Sequence, residues 1–338
     1  MRRVRSVPPS PHTRDQPIPH LVRVLAIAGE FGVEHLLLVE DAGRQHRHRD
    51  RDAEQAGRLA EWLKLALDQP ELLHTLGATA NLGVLVSGPA GVGKTALAKA
   101  MAAATERALI RLQCYEGVDE ARALYEWNHA KQILRIQAGS VASAGSAGGG
   151  DWDQTKTDVF SEEFLLSRPL LTAIRRTEPT VLLIDETDKA DIEIEGLLLE
   201  VLSDFAVTVP ELGTIVAERK PLVVLTSNAT RELSEALKRR ALYLHLDYPG
   251  AERERDIILS RVPDIAPALA DQIVRTARAL RAMELKKSPS IAETIDWAQT
   301  LLALGINTLD ETAVKETLGV VLKHASDAAK ASGELRLN

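Results

Sequence analysis

Eight residues constrain this chain more than any other stretch: Gly88-Pro89-Ala90-Gly91-Val92-Gly93-Lys94-Thr95, set between the apolar run NLGVLVS and the helix-forming run ALAKAMAAATE. The octet fits G-x-x-x-x-G-K-[ST], a pattern that has chemical meaning only where a strand precedes it and a helix follows, as here. Glycines let the backbone turn its amides inward around an anion, and the helix N-terminus adds partial positive charge at the same place. The octet together with Ala96, the next helical residue, is therefore the expected phosphate cradle. Lys94 would reach the β and γ phosphates of a triphosphate and the Thr95 hydroxyl would ligate Mg²⁺, which makes ATP and Mg²⁺ the expected cofactors. A glycine turn that carries Lys and Thr by chance would not need both flanking elements.

Two further apolar runs end in polar groups that the same chemistry uses. Val181-Leu182-Leu183-Ile184-Asp185-Glu186 predicts a buried strand delivering two acids at its C-terminal edge, where ligands of open α/β sheets collect. Asp185 would hold the Mg²⁺ shell and Glu186 would polarise the attacking water, with Asp188 as the fallback for that role. Pro221-Leu222-Val223-Val224-Leu225-Thr226-Ser227-Asn228 predicts a second such strand. The Asn228 amide offers one donor and one acceptor, enough to hold a γ phosphate and a water together. An Asp-Glu pair or a strand-end Asn alone would read as a turn former; the glycine loop gives each its function. Arg239 and Arg240 close a short predicted helix after Asn228, and in a ring of identical subunits an arginine here can reach the neighbour's γ phosphate. Cations complementing a helix C-terminus are the plain alternative.

Around these motifs the chain divides by composition. Residues 1–20 hold five prolines and read as a flexible arm, and 21–75 form an extension of unknown role, opening with the strand-like LVRVLAIAG and closing in a helical pattern at Leu59, Leu63 and Leu67. His46 and His48 in RQHRHRDRD have no further ligand at metal spacing, so a solvated loop is expected. From 76 to 249, short aliphatic strands alternate with helices, including a helical run from Ala121 to Leu134 and another near 159–176. This alternation predicts an α/β fold with a parallel sheet flanked by helices. A Gly/Ser/Ala-rich stretch within 138–157 reads as a flexible insertion. Residues 250–338 lose the strand signal and predict a small all-α lid of four helices, separated by breakers at Pro263, Pro267, Ser288-Pro289-Ser290 and Gly305-Ile306-Asn307.

Charge excludes some function classes. With 41 basic and 48 acidic residues the net charge is −7, so nucleic acid is not an expected partner. One cysteine, Cys114, permits no internal disulfide, and no apolar run reaches the ~20 residues of a membrane span, so a cytoplasmic protein without an integral membrane segment is expected.

The four elements in this order, followed by a helical domain, resemble the AAA+ module. The run LLLEVLSDFAVTVPELGTIVAERKPLVVLTSN resembles the MoxR family, with a hairpin expected at 206–218. RLQCYEGVDEARALYEWNHAKQILRIQ, FLLSRPLLTAI, SDFAVTVPELGTI and ALKRRALYLHLDYP are similar to its CoxD-type branch. That resemblance, over about 82–304, implies an ATP-hydrolysing remodelling chaperone, a hexameric ring of identical subunits, and a client enzyme such as a molybdenum hydroxylase of the carbon monoxide dehydrogenase kind. The chain departs from the family in its first 80 residues and at Ser290-Ile291-Ala292, where many members carry a nucleotide-facing arginine. Two other classes compete: a nucleotide-gated assembly adaptor with little turnover, and a P-loop kinase, which leaves Asn228, the twin arginines and the helical domain without a role.

Overall fold

Aliphatic runs too apolar to face water on either side must lie inside a sheet covered twice, and three of them do. In the computed structural model, which describes residues 83–143 and 158–334, β1 (Gly83–Ser87), β5 (Thr180–Asp185) and β8 (Leu222–Ser227) are buried along their whole length. They form the centre of a five-stranded parallel sheet in the order β2–β5–β8–β1–β9, with β2 (Ala108–Gln113) and β9 (Leu242–His245) at the edges. Alternation sorts the side chains onto two faces. Val84, Val86, Val181, Leu183, Leu222 and Val224 pack under α1 (Lys94–Ala104) through Leu97, Ala98 and Met101. Leu85, Leu182, Ile184, Val223 and Leu225 pack on the other face against α4 (Pro169–Arg175) and α5 (Ile192–Asp204).

The parallel direction sends every strand to the same edge, so β1, β5 and β8 deliver the glycine loop, the two acids and Asn228 side by side. β1 and β8 are in register to their ends, Ser87 opposite Ser227, and Ile184 lies opposite Leu225. The expected hairpin is β6 (Ala206–Val209) with β7 (Gly213–Val216), antiparallel, and a one-turn helix α6 (Glu235–Lys238) precedes β9.

Residues from 251 onward form helices alone: α7 (Ala251–Arg261), α8 (Pro267–Arg281), α9 (Ile291–Ala303), α10 (Glu311–Val321) and α11 (Ala325–Glu334). The expected breakers act at Pro267, which starts α8, at the Pro289-Ser290 entry to α9, and at Gly305. A separate core of Ile258, Ile273, Trp297, Leu301, Val314 and Leu318 holds the group together. The Trp297 indole N–H donates to Thr317 Oγ1 at 2.8 Å, which removes the cost of burying it. The fold is thus an α/β unit with a parallel sheet flanked by helices, followed by an all-α unit.

Four local expectations are corrected. The run 121–134 is no single helix: α2 (Glu120–Ala123) stops, β3 (Tyr125–Trp127) follows, and α3 (His129–Ser143) begins after it. Likewise 159–176 is broken by β4 (Leu165–Ser167), which pairs antiparallel with β3. Tyr125 and Trp127, edge to face at a centroid distance of 6.4 Å, suit a strand better than a helix once that partner is available. The helix α3 also runs to Ser143, into the stretch expected to be a linker; the rest of that insertion, the proline-rich arm, the 21–75 extension and the His46/His48 loop lie outside the described residues. The all-α unit has five helices among the described residues rather than four.

Candidate nucleotide site

Gly93, at φ 99°, is the left-handed residue that turns the loop into α1, and a side chain there would meet nothing within 4 Å, so the approach to its backbone is open. Gly91 is held for a different reason. It has φ 73°, and a Cβ on it would stand 2.2 Å from the Ser290 Cβ, so the helical unit rests directly on the loop at the start of α9. Ser290 caps that helix, its hydroxyl accepting from the Glu293 N–H while Glu293 accepts from the Ser290 N–H.

Lys94 is buried, and its ammonium donates to the carbonyls of Gly88 at 2.7 Å and Pro89 at 2.5 Å, spanning the loop from inside. Burial lowers its pKa, with Asp188, Asp185 and Glu186 pulling the other way. One residue on, Thr95 Oγ1 lies 3.1 and 3.2 Å from the two Asp185 carboxylate oxygens, so the glycine loop and the acid strand meet at one point. Asp185 is only 2% exposed and also accepts from Thr226 Oγ1 at 2.5 Å, while the same Thr226 oxygen accepts the Glu186 N–H at 2.9 Å. A hydroxyl and a carboxylate together make an all-oxygen donor pair of the hard kind Mg²⁺ selects. These oxygens fit the metal that the fold implies, and Thr95 and Asp185 are the residues that would hold it.

Glu186 stands at φ 57°, a left-handed conformation that turns its side chain out of the strand direction. Its Oε2 accepts from the Gln113 amide at 3.0 Å and from the Lys189 ammonium at 2.6 Å. Asp188, the fallback for water activation, is committed elsewhere. It is 3% exposed and accepts from the N–H of Asn228 at 3.1 Å, the N–H of Thr230 at 3.0 Å and the Thr230 hydroxyl. Burial alone would raise its pKa, but these hydrogen bonds outweigh it and hold the carboxyl below its ordinary value. Asp188 thus anchors the end of β8 and fixes Asn228 by its backbone, leaving the Asn228 side-chain amide without a hydrogen bond among the described residues.

The arginines stand apart from this cluster. The Arg240 carbonyl abuts Gly83 at the start of β1, the far end of that strand from Gly88, about 16 Å away at ~3.3 Å per residue. Arg240 is also tied back, donating to Ser203 Oγ of α5 at 2.7 Å and to the Ala236 carbonyl at 3.0 Å. Arg239 is exposed, and its side chain makes no hydrogen bond or ion pair among the described residues. In the helical unit, Arg281 is no free sensor either. It forms a bidentate pair with Glu254 at 2.7 Å for each bond, donates to the Pro289 carbonyl at 2.8 Å and stacks 4.5 Å over Tyr248.

Sequence reasoning missed Arg111, Gln113, Thr226 and Ser290. Arg111 donates to Asp185 Oδ2 from Nε at 3.0 Å and Nη2 at 2.5 Å, and Nη2 also donates to the Gln113 side-chain oxygen Oε1. The period-two pattern of ALIRLQ puts Arg111 and Gln113 on one face of an edge strand, but nothing local says that this face meets the acids.

Residues 83–241 match the family model of the AAA domain, dynein-related subfamily. Chaperone protein ClpB 1 of Synechocystis sp. is 31% identical over 147 residues, which is 43% of this chain and 13% of that protein. Chloroplastic chaperone protein ClpC1 of Oryza sativa subsp. japonica is 27% identical over 250 residues, 73% of this chain and 22% of that protein. The chain thus matches less than a quarter of the length of these relatives. Among solved structures, the RuvB Holliday junction branch migration motor of Thermotoga maritima superposes with a TM-score of 0.42 at 18% identity, covering 77% of this chain and 68% of that one. No described helix is long and apolar enough to cross a membrane. The α/β unit at 83–241, which matches that AAA domain model, carries the glycine loop, the paired acids and Asn228.

Proposed function

We propose that the chain hydrolyses Mg·ATP at this site and uses the cycle to move its helical unit and remodel a client protein. The observation that carries the reading is the 3.1 Å contact between Thr95 Oγ1 and Asp185, which joins the phosphate loop to the metal-holding acid. Lys94 would bind the β and γ phosphates together with the backbone N–H groups of residues 88–96 other than Pro89, and Thr95 and Asp185 would hold Mg²⁺, whose charge would stabilise the transferring phosphoryl group. Glu186 polarises the attacking water and Asn228 orients it. The contact of Ser290 with Gly91 supports transmission of loop movements to the helical unit without a lid arginine.

The site is completed by a second copy. Arg239 is exposed and lies at the end of the sheet remote from its own loop, which supports action on a neighbouring subunit's γ phosphate, while Arg240 braces α6 on α5. A ring, hexameric by likeness to AAA+ assemblies, follows from that arrangement. Its finer placement, a MoxR-type chaperone of the CoxD branch acting on a client such as a carbon monoxide dehydrogenase, rests on the sequence likeness around RLQCYEG, FLLSRPLLTAI and ALKRRALYLHLDYP.

Glu186→Gln should lower turnover by ~100-fold or more while ATP binding persists. Arg239→Ala should do the same, Arg240→Ala should not, and mixing Arg239→Ala with Lys94→Ala protein should restore part of the activity, since each supplies what the other lacks. A parent with no turnover, together with full cellular function of Glu186→Gln, would replace hydrolysis by a nucleotide-gated switch. Phosphate transfer to a small acceptor in place of release to water would replace it by a kinase.

A further inference from the structure

Asp185 is a buried carboxylate, and a buried charge needs compensation. Two of its partners, Thr95 and Thr226, are neutral hydroxyls. The cation hydrogen-bonded to it is Arg111, from the outward row of the edge strand β2, through two N–H groups that both converge on Oδ2. Lys94, the nearest cation in sequence to the metal-holding Thr95, donates instead to Gly88 and Pro89. We propose that Arg111 is a built-in competitor for the Mg²⁺ site, neutralising Asp185 until the metal that arrives with ATP takes its place. The inference rests on the Mg·ATP reading above and adds a residue that sets how much metal the site demands.

The competition follows from geometry and charge. A carboxylate oxygen has about two lone-pair sites, and the fork of Arg111 brings two N–H groups to Oδ2, which also lies 3.2 Å from Thr95 Oγ1, while Oδ1 serves the Thr95 and Thr226 hydroxyls. Mg²⁺ is small and doubly charged, and needs its oxygen ligands at roughly 2 Å in near-octahedral order. It cannot share Oδ2 with a guanidinium without setting two cations against each other. Arg111 is also equipped to leave. Its side chain is 46% exposed against 3% for Asp185, so water can take over its solvation as it swings out. Lysine would be a poor substitute, since a single ammonium lacks the paired N–H groups that hold one oxygen from two directions. A plain surface arginine on an edge strand would bind water or a solvated acid, not the least exposed carboxylate of the cluster.

The test uses the full chain and a fluorescent ATP analogue, with binding followed as Mg²⁺ is raised from chelated buffer. Arg111→Met should lower the Mg²⁺ midpoint about five- to tenfold, the span expected for a coupling of this size, and Arg111→Lys should fall between it and the parent. Lys189→Met removes an equal charge from the neighbouring Glu186 and controls for the general field; it should shift the midpoint much less. Without nucleotide, melting of Arg111→Met should be lower in chelator and recover more on adding Mg²⁺ than the parent does. An Arg111→Met midpoint equal to the parent's, or an equal shift in Lys189→Met, overturns the inference while leaving the ATP site standing. A parent that binds no nucleotide at any Mg²⁺ concentration sinks the ATP site and this inference with it.

Discussion

Arg281→Met is the substitution whose cost the structure specifies best. Its guanidinium is 9% exposed and its partner Glu254 is 0% exposed, with both oxygens of the carboxylate paired. Removing the cation leaves a buried charge uncompensated, strands the Pro289 carbonyl and removes the stack on Tyr248. Breaking a buried pair from one side costs about 3–5 kcal/mol. Urea unfolding followed by circular dichroism should show that loss as a lower midpoint at nearly constant slope. Because Glu254 joins α7 to α8, and Pro289 leads into Ser290, the variant should also loosen the contact with Gly91 and weaken nucleotide binding. Adding Glu254→Leu should recover at least half of the lost stability, since it removes the orphaned charge. A loss below about 1 kcal/mol, or a double variant no better than the single one, would refute the claim that this pair fastens the helical unit.

Other outcomes follow from the same geometry. Gly91→Ala meets both a φ of 73° and the Ser290 Cβ, so it should weaken ATP binding at least tenfold by titration, and Ser290→Gly in the same chain should recover part of that loss. Asp188→Ala leaves two backbone N–H groups unpaired and should cost about 2–4 kcal/mol in urea unfolding, with loss of turnover as Asn228 loses its anchor. Since the Asp188 carboxyl is held below its ordinary value of 3.8, its stabilisation is present above that pH and is lost as pH falls below it. The parent should therefore lose more stability on acidification below 3.8 than Asp188→Asn does. Burial, followed by the nearby Asp185, Asp188 and Glu186, pushes the Cys114 thiol up to about 12, so iodoacetamide at pH 8 should spare the folded chain and modify it at once in urea.

The parts of the fold legible in sequence were those written in unbroken aliphatic runs. TVLLI and LVVL can only be buried strands of a doubly covered sheet, and once they are parallel their polar ends must meet the glycine loop. What sequence concealed was pairing over distance. Tyr125 to Trp127 became a strand because Leu165 to Ser167 lies beside it, against a local helical pattern. Asp188 looked like a spare catalytic acid because its partners, Asn228 and Thr230, are about 40 residues away. Arg111 lies 74 positions from Asp185 and Ser290 lies 199 from Gly91; neither carries a local mark of its role. The two arginines were inseparable as neighbours in a motif and became distinct only when Ser203 was seen to hold Arg240.

If Thr95 and Asp185 hold the metal of a bound triphosphate, the anomalous scattering of Mn²⁺ in crystals grown with a non-hydrolysable ATP analogue will locate it between them. The ion should appear roughly 2 Å from Thr95 Oγ1, on the Asp185 side, with the Lys94 ammonium on phosphate oxygens. An ion and nucleotide bound elsewhere on the chain, or crystals in which neither binds at all, would contradict that assignment.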